Sequence, residues 1–288
     1  ATIATVVVVA IVATTLAQKV VWRGFVDWAN GVYGTFDTTT PEGITQPTAA
    51  LRSGGPGSLV AWDTLGSEGR NFAGGGPTVA QLQAFAGPTR TAMEPIRAYV
   101  GIDSVDVPSD SPDLPDAQAQ RAVAELDRTD AWSRSVLAVV TVTGTGWVDP
   151  YFAAGLEYMN AGDTAIVATQ YSFLPSWISF LVDLDKAAAS GRATVDAVVA
   201  RWRTLPVDHR PRLIVDGISL GTYGSEHAFN GPTLEASIGS ALADVDGVLY
   251  AGPTFMNPIW KQVVAGRESS SPAWHPVIGG GLHVVALN

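Results

Sequence analysis

The residues most able to do chemistry are Gly217-Ile218-Ser219-Leu220-Gly221, a G-x-S-x-G sequence that follows the apolar run Arg212 to Asp216 and precedes a helical pattern. A serine hydroxyl is a weak nucleophile. It becomes useful when a base takes its proton and fixed N–H groups face the oxygen that turns negative on attack. A strand-to-helix corner supplies the second requirement. It strains the serine backbone at the carboxyl end of a strand and sets the Leu220 N–H, with the start of the following helix, beside the hydroxyl. Gly217 and Gly221 are the elbow glycines, keeping the corner clear of the neighbouring strand and helix. An ordinary Gly-Ser turn would have the same composition, and the position between strand and helix is what favours the catalytic corner, with Ser219 as nucleophile.

A second oxyanion donor is expected from the loop after an adjacent strand. Thr143-Gly144-Thr145-Gly146-Trp147 follows the β-branched run Val136 to Val142, and its backbone around Thr145 and Gly146 is the candidate. The rival is a dinucleotide loop, but Asp149 occupies the third glycine position and would face phosphate with negative charge. The base is harder to find among the four histidines. His209 reads as a surface residue in a Pro/Arg-rich turn. His227 lies two helical turns beyond Ser219, roughly 12 Å along the axis. His275 and His283 follow in chain order, with Asp244, Asp246 and Glu268 as possible orienting acids. A corner of this kind takes its acid from the second strand after the nucleophile strand and its histidine from further on. One strand, Gly247 to Ala251, follows here, so acid and base are expected beyond Asn288, with His283 as the alternative.

Trp147, Tyr171, Phe173 and Trp177 are candidates for an apolar substrate pocket, with core packing as the competing reading. Asp183 and Asp185, beside Lys186, read as capping charge at a helix start. With no cysteine there is no thiol nucleophile, disulfide or Cys-bound zinc, and no metal or cofactor is expected. Lys and Arg number 17 against 27 Asp and Glu, so the net charge is −10 and the basic stripe of a nucleic-acid binder is missing.

These residues need a scaffold, and the pattern from Pro95 onward provides one. Strands are expected at Ile96–Val100, Val136–Val142, Ala165–Gln170, Arg212–Asp216 and Gly247–Ala251. Helices are expected at Asp116–Arg128, Asp149–Asn160, Ala187–Leu205 and Leu220–Phe229. The alternation implies an α/β fold with a mostly parallel sheet and helices on both faces. Residues 35–78, rich in Gly, Pro, Ser and Thr, read as an irregular connector with packed spots at Leu59, Val60, Trp62 and Phe72. The apolar run Ala1 to Ala17, flanked by Gln18, Lys19, Trp22, Arg23 and Trp28, reads as the C-terminal part of a transmembrane helix; a signal peptide or a buried strand is the alternative. Three units are expected: 1–28 the membrane helix and its flank, 29–94 the connector and irregular N-terminal part, and 95–288 a catalytic domain lacking its C-terminal strands.

Taken together, GITQPTAALRSGGPGSLVAWDTLGSEGRNF, YVGID, VTGTGWVDP, LEYMNAGDTAIVATQYSFLPSW and GISLGTYGSEHAF resemble the membrane-anchored α/β-hydrolases, mostly actinobacterial, in which a multi-helix membrane domain precedes the hydrolase domain. The resemblance implies the α/β-hydrolase fold, Ser219 as nucleophile, the TGTGW turn at the active-site rim, acid and histidine C-terminal to Asn288, and a multi-pass cell-membrane location. Where the family usually has glutamate before the serine, this chain has Ile218. The expected function is a membrane-tethered serine hydrolase, esterase- or lipase-like, acting on a small-molecule or lipid acyl ester, with the lipid membrane as partner and no nucleic acid. An acyltransferase using the same serine, or a catalytically silent scaffold or sensor module at the membrane, is the alternative.

Overall fold

The computed structural model describes residues 24–267. Its centre is a five-stranded sheet of β1 (Ile96–Val100), β2 (Val136–Thr141), β3 (Thr164–Thr169), β4 (Arg212–Ile218) and β5 (Gly247–Ala251), in the order β1-β3-β2-β4-β5. Every neighbouring pair is parallel. The strand bounds fall within two residues of those read from the sequence. The first three strands are buried along their whole length, which is why their runs of Val, Ile, Leu and Ala do not alternate with polar residues.

Around the sheet lie α1 (helical residues 24–37), α2 (Gly66–Gly74), α3 (Val79–Ala86), α4 (Leu114–Arg128), α5 (Pro150–Met159), α6 (Ser176–Val182), α7 (Leu184–Arg203), α8 (Leu220–Phe229), α9 (Leu234–Asp244) and α10 (Pro258–Ala265). The register shows that both sheet faces are covered. Arg97 pairs with Ile166 and reaches Glu157 of α5, whereas Thr169, three residues on and therefore on the other face, meets Ser190 and Thr194 of α7. Leu137, Val139, Ile166, Val167, Leu213 and Val215 are fully buried between the layers, each burial contributing about 1.5–3 kcal/mol. Helices α7 and α8 approach closely because Gly191 faces Gly224, where a Cβ would overlap backbone. That contact fixes the helix that begins directly after the candidate nucleophile.

Part of the expected connector is core structure. Val60, Leu65, Phe72 and Ala73 are buried in the main cluster, and α2 occupies the segment's last third. Residues 51–53 run along the outer edge of β1, with Arg97 N donating to Leu51 O and Ser53 N to Arg97 O. Leu59, expected to pack, is 44% exposed. What holds this stretch is polar and long-range. Arg97 makes a two-pronged buried pair with Glu157 at 2.7 and 2.8 Å and donates to Phe72 O. Buried Glu125 accepts from Leu59 N, Ser53 Oγ and Ser58 Oγ. A local periodicity search cannot register partners 25 to 72 residues apart. The apolar run Ala1–Ala17 lies outside the described residues, and among those described no helix is long and apolar enough to cross a membrane.

Candidate active site

Strand β4 ends at Ile218, and α8 begins at Leu220. Ser219 stands alone between them at φ 52°, ψ −117°, a left-handed conformation costly for a residue with a Cβ. The flanking glycines have no room for a side chain. A Cβ on Gly217 would come within 2.9 Å of Thr141 Oγ1 and of the Gly221 and Thr222 backbone, and one on Gly221 would overlap the Thr141 carbonyl. The corner is tied on both sides: Ser219 N donates to Ala251 O at the end of β5 (2.9 Å), and Ser219 O accepts from Thr222 N (3.1 Å) and Thr222 Oγ1. Ser219 is half-buried, and its Oγ has no hydrogen-bond partner among the described residues. Leu220 N is the first amide of α8 and has no intrahelical acceptor.

The turn after β2 adjoins this corner through the Thr141 contact and is heavily braced. Gly146 N and Trp147 N both donate to Thr143 O, and Gly144 N donates to Tyr171 Oη at 2.9 Å. Gly146 O accepts from Tyr99 Oη (2.8 Å), Thr145 O from Gln170 Nε2 (3.0 Å), and Thr143 Oγ1 pairs with Ser176 Oγ (2.7 Å). Gly144 and Gly146, at φ 50° and 97°, fill spaces in which a Cβ would strike Ser176 and Tyr99. Of the two candidate donors, the Gly146 N–H is therefore already used within the turn. The Thr145 N–H has no acceptor among the described residues.

The other candidates separate by burial. Tyr171 is buried and serves as the brace of the turn rather than as a pocket wall, and burial raises its phenol pKa. Trp147 and Phe173 are half-buried, and Trp177 on α6 is 63% exposed. Asp183 does stand at the start of α7, but its carboxylate does not cap the helix; it accepts from Ser172 Oγ at 2.6 Å and faces Lys186 at 3.6 Å. His209 is on the surface beside Asp208, and His227 Nδ1 contacts Tyr223 O within its own helix (2.7 Å); neither bonds to Ser219. Asp244 pairs with Arg203, and Asp246 accepts from Leu213 N at the amino end of β4, so both lie at the wrong end of the sheet for Ser219. Glu268, His275 and His283 lie outside the described residues.

Three site features escaped the sequence reading. Asp216, three residues before Ser219, is 2% exposed, its Oδ2 has no partner among the described residues, and burial reinforced by the nearby Asp149 charge pushes its pKa up to about 7. Asn257 donates to Thr222 Oγ1 and accepts from Thr254, tying the loop after β5 to the corner. Asn257-Pro258 at the start of α10 was a readable helix-start signal. Phe255 in that loop packs edge-on to Phe180 of α6, with ring centres 5.4 Å apart. A cavity of about 650 Å³ between α4 and α7, lined by Asp116, Arg192, Asp196 and several alanines, contains none of these residues.

Known proteins bear on the same regions. The model of an alpha/beta-hydrolase family matches residues 96–288, and the model of that family's N-terminus matches residues 1–77. No curated protein and no solved structure gives a significant match. The first match covers about two thirds of the chain and includes all five strands and the Ser219 corner, so the chain belongs to the alpha/beta-hydrolase family and has a hydrolase-type scaffold.

Proposed function

We propose that the protein is a membrane-tethered serine hydrolase acting on an acyl ester, with Ser219 as nucleophile. The observation that carries this reading is the backbone of Ser219, held at φ 52° between a parallel strand and a helix by two glycines that admit no side chain. A strained serine at a strand's carboxyl end, with a hydroxyl that no described residue engages and that is therefore open to a base, is the corner on which a serine nucleophile is presented. In the reaction, Ser219 Oγ bonds to the ester carbonyl carbon while its proton passes to a histidine supplied C-terminal to α10. The carbonyl oxygen becomes an oxyanion and accepts from the N–H groups of Leu220 and Thr145. Collapse breaks the bond to the alcohol oxygen, which takes the proton from the histidine. Water then releases the acyl group by the same steps.

An apolar acyl chain is supported by the exposed Trp177, Leu181 and Phe255 on α6 and the loop after β5. The tether is supported by the apolar run Ala1–Ala17 and by Trp28, 62% exposed on α1. The test is labelling of the full-length protein by a fluorophosphonate probe, compared with Ser219→Ala. Labelling of the wild type alone is expected; labelling that survives the substitution removes Ser219 from this role.

A further inference from the structure

We infer that Asp37, at the end of α1, is a positioning residue for the candidate oxyanion amide of Thr145, acting through Gln170. The inference rests on the proposed hydrolase reading and adds a requirement to it: the segment before the sheet helps to set the site.

The peptide groups of the turn after β2 carry the argument. The 143–144 peptide is fixed by Gly144 N donating to Tyr171 Oη. The 145–146 peptide is fixed at both ends, its N–H on Thr143 O and its carbonyl on Gln170 Nε2. The 146–147 peptide is fixed by Trp147 N on Thr143 O and by Tyr99 Oη on its carbonyl. Only the 144–145 peptide, which presents the Thr145 N–H, makes no hydrogen bond among the described residues. Its orientation is therefore set by its two neighbours, and one of them is held by Gln170.

Gln170 is itself held. It is fully buried, its Oε1 accepts from Ile102 N at 3.3 Å, and its Nε2 lies 3.2 Å from each oxygen of Asp37 and 3.3 Å from Ser172 O while donating to Thr145 O at 3.0 Å. Ile102 N is a donor, and the Asp37 carboxylate and Thr145 carbonyl are acceptors, so one amide orientation satisfies all three. Asp37, 8% exposed, also accepts from Ser67 N at 3.1 Å, which places its charge at the amino end of α2. Gly66 lines the pocket so closely that a Cβ there would come within 2.6 Å of Asp37 Oδ2 and 2.9 Å of Gln170 Oε1. Arg70 Nη2 donates to the Asp37 carbonyl and its charge favours the ionised carboxylate, although no cation lies within ion-pair distance of the Asp37 oxygens among the described residues. The carboxylate's work is thus to accept from Gln170 and from the α2 amide.

The variant that tests this is Asp37→Asn, which keeps the volume but turns one acceptor into a donor facing Gln170 Nε2 or Ser67 N. With p-nitrophenyl butyrate as probe substrate and the full-length protein, kcat should fall about tenfold with KM within about twofold. Complete deletion of an oxyanion donor typically costs about 10²–10³. In the Gln170→Ala background the same change should add nothing to kcat, because its route is already cut. An unchanged kcat in Asp37→Asn, or effects that simply multiply, overturns the inference while leaving Ser219 in place. Should the wild type neither label nor turn over, the hydrolase reading fails, and the link from Asp37 through Gln170 to the turn is then read from amide exchange in 143–147. Faster exchange in Asp37→Asn supports it, and unchanged exchange overturns it.

Discussion

The corner at Ser219 and the turn at Thr145 both hold backbone in left-handed conformations, and they do so by opposite means. The corner is tied by Ser219 N to Ala251 O and by Thr141 Oγ1 to Gly221 O, but its conformation depends on absences: two positions without a Cβ and, among the described residues, a hydroxyl, a helix-start amide and a buried Asp216 oxygen that have no partner. The turn relies on contacts, with each peptide but one bonded to a side chain or to the turn itself. Strain at the corner is local and encoded in five adjacent residues. Order at the turn is borrowed from Asp37, Tyr99, Gln170 and Tyr171, which come from three separate stretches of chain.

The sharpest way to break the contrast is at the hydroxyl. Ser219→Ala is expected to lower ester turnover by about 10⁴-fold or more, as loss of a nucleophile does in other serine enzymes, with secondary structure unchanged. Ser219→Gly should be equally inactive but more stable than wild type by about 1 kcal/mol, because glycine adopts φ 52° without penalty. Equal thermal midpoints for the glycine and alanine forms would show that the corner stores no strain.

Gly221→Ala attacks the corner from its packing. The new methyl would overlap the Thr141 carbonyl at the end of β2, which is backbone and cannot rotate away. The expected loss is about 3 kcal/mol or more in denaturant unfolding, with turnover lost as the helix start shifts from the serine. Gly217→Ala meets its neighbours only at 2.9 Å and should cost less.

Asp216 offers a pH-dependent test. Its carboxyl titrates near 7 in the folded protein against 3.8 ordinarily, so between those values the folded state holds a proton that the unfolded state has released. Stability should therefore fall as pH rises from about 4 to about 7, by up to about 4 kcal/mol, and be level above. Asp216→Asn keeps the shape, removes the charge, and should flatten most of that slope while raising stability at pH 8, leaving only the part owed to the other carboxyls raised by burial, Asp37, Glu68, Asp196 and Glu226. A slope that persists undiminished in the variant would assign it to other groups.

The same local-versus-distant division explains what could be read from the sequence. All five strands and the helices α4, α5, α7 and α8 are legible because buried parallel strands are continuous β-branched runs and these helices keep a 3.6-residue period, whereas α6, α9 and α10, short helices beside the strand ends, are not expected from the sequence. The corner was legible for the same reason, its glycines being two residues from the serine. The segment around Val60, Leu65 and Phe72 was read as connector because it has no period; it is held by Arg97, Glu125 and Glu157, partners that only the folded chain brings near. Tyr171 was read as a pocket residue because an aromatic after a strand fits a pocket and a brace equally well. Gln170, a polar residue closing an apolar run, carried the one available hint that something at that strand end required a donor and an acceptor.

Tyr171→Phe probes the turn with the smallest expected effect. It removes one oxygen and leaves the ring, so packing is kept while the Gly144 amide loses its acceptor in a buried position. An amide stranded in this way costs about 1–2 kcal/mol. Because Gln170 and Tyr99 still hold the other peptides, the turn should keep its shape and kcat should drop by no more than about threefold. A collapse of activity comparable to Gly221→Ala would mean that the turn depends on one brace, as the corner depends on two glycines, and the two regions would then be built alike.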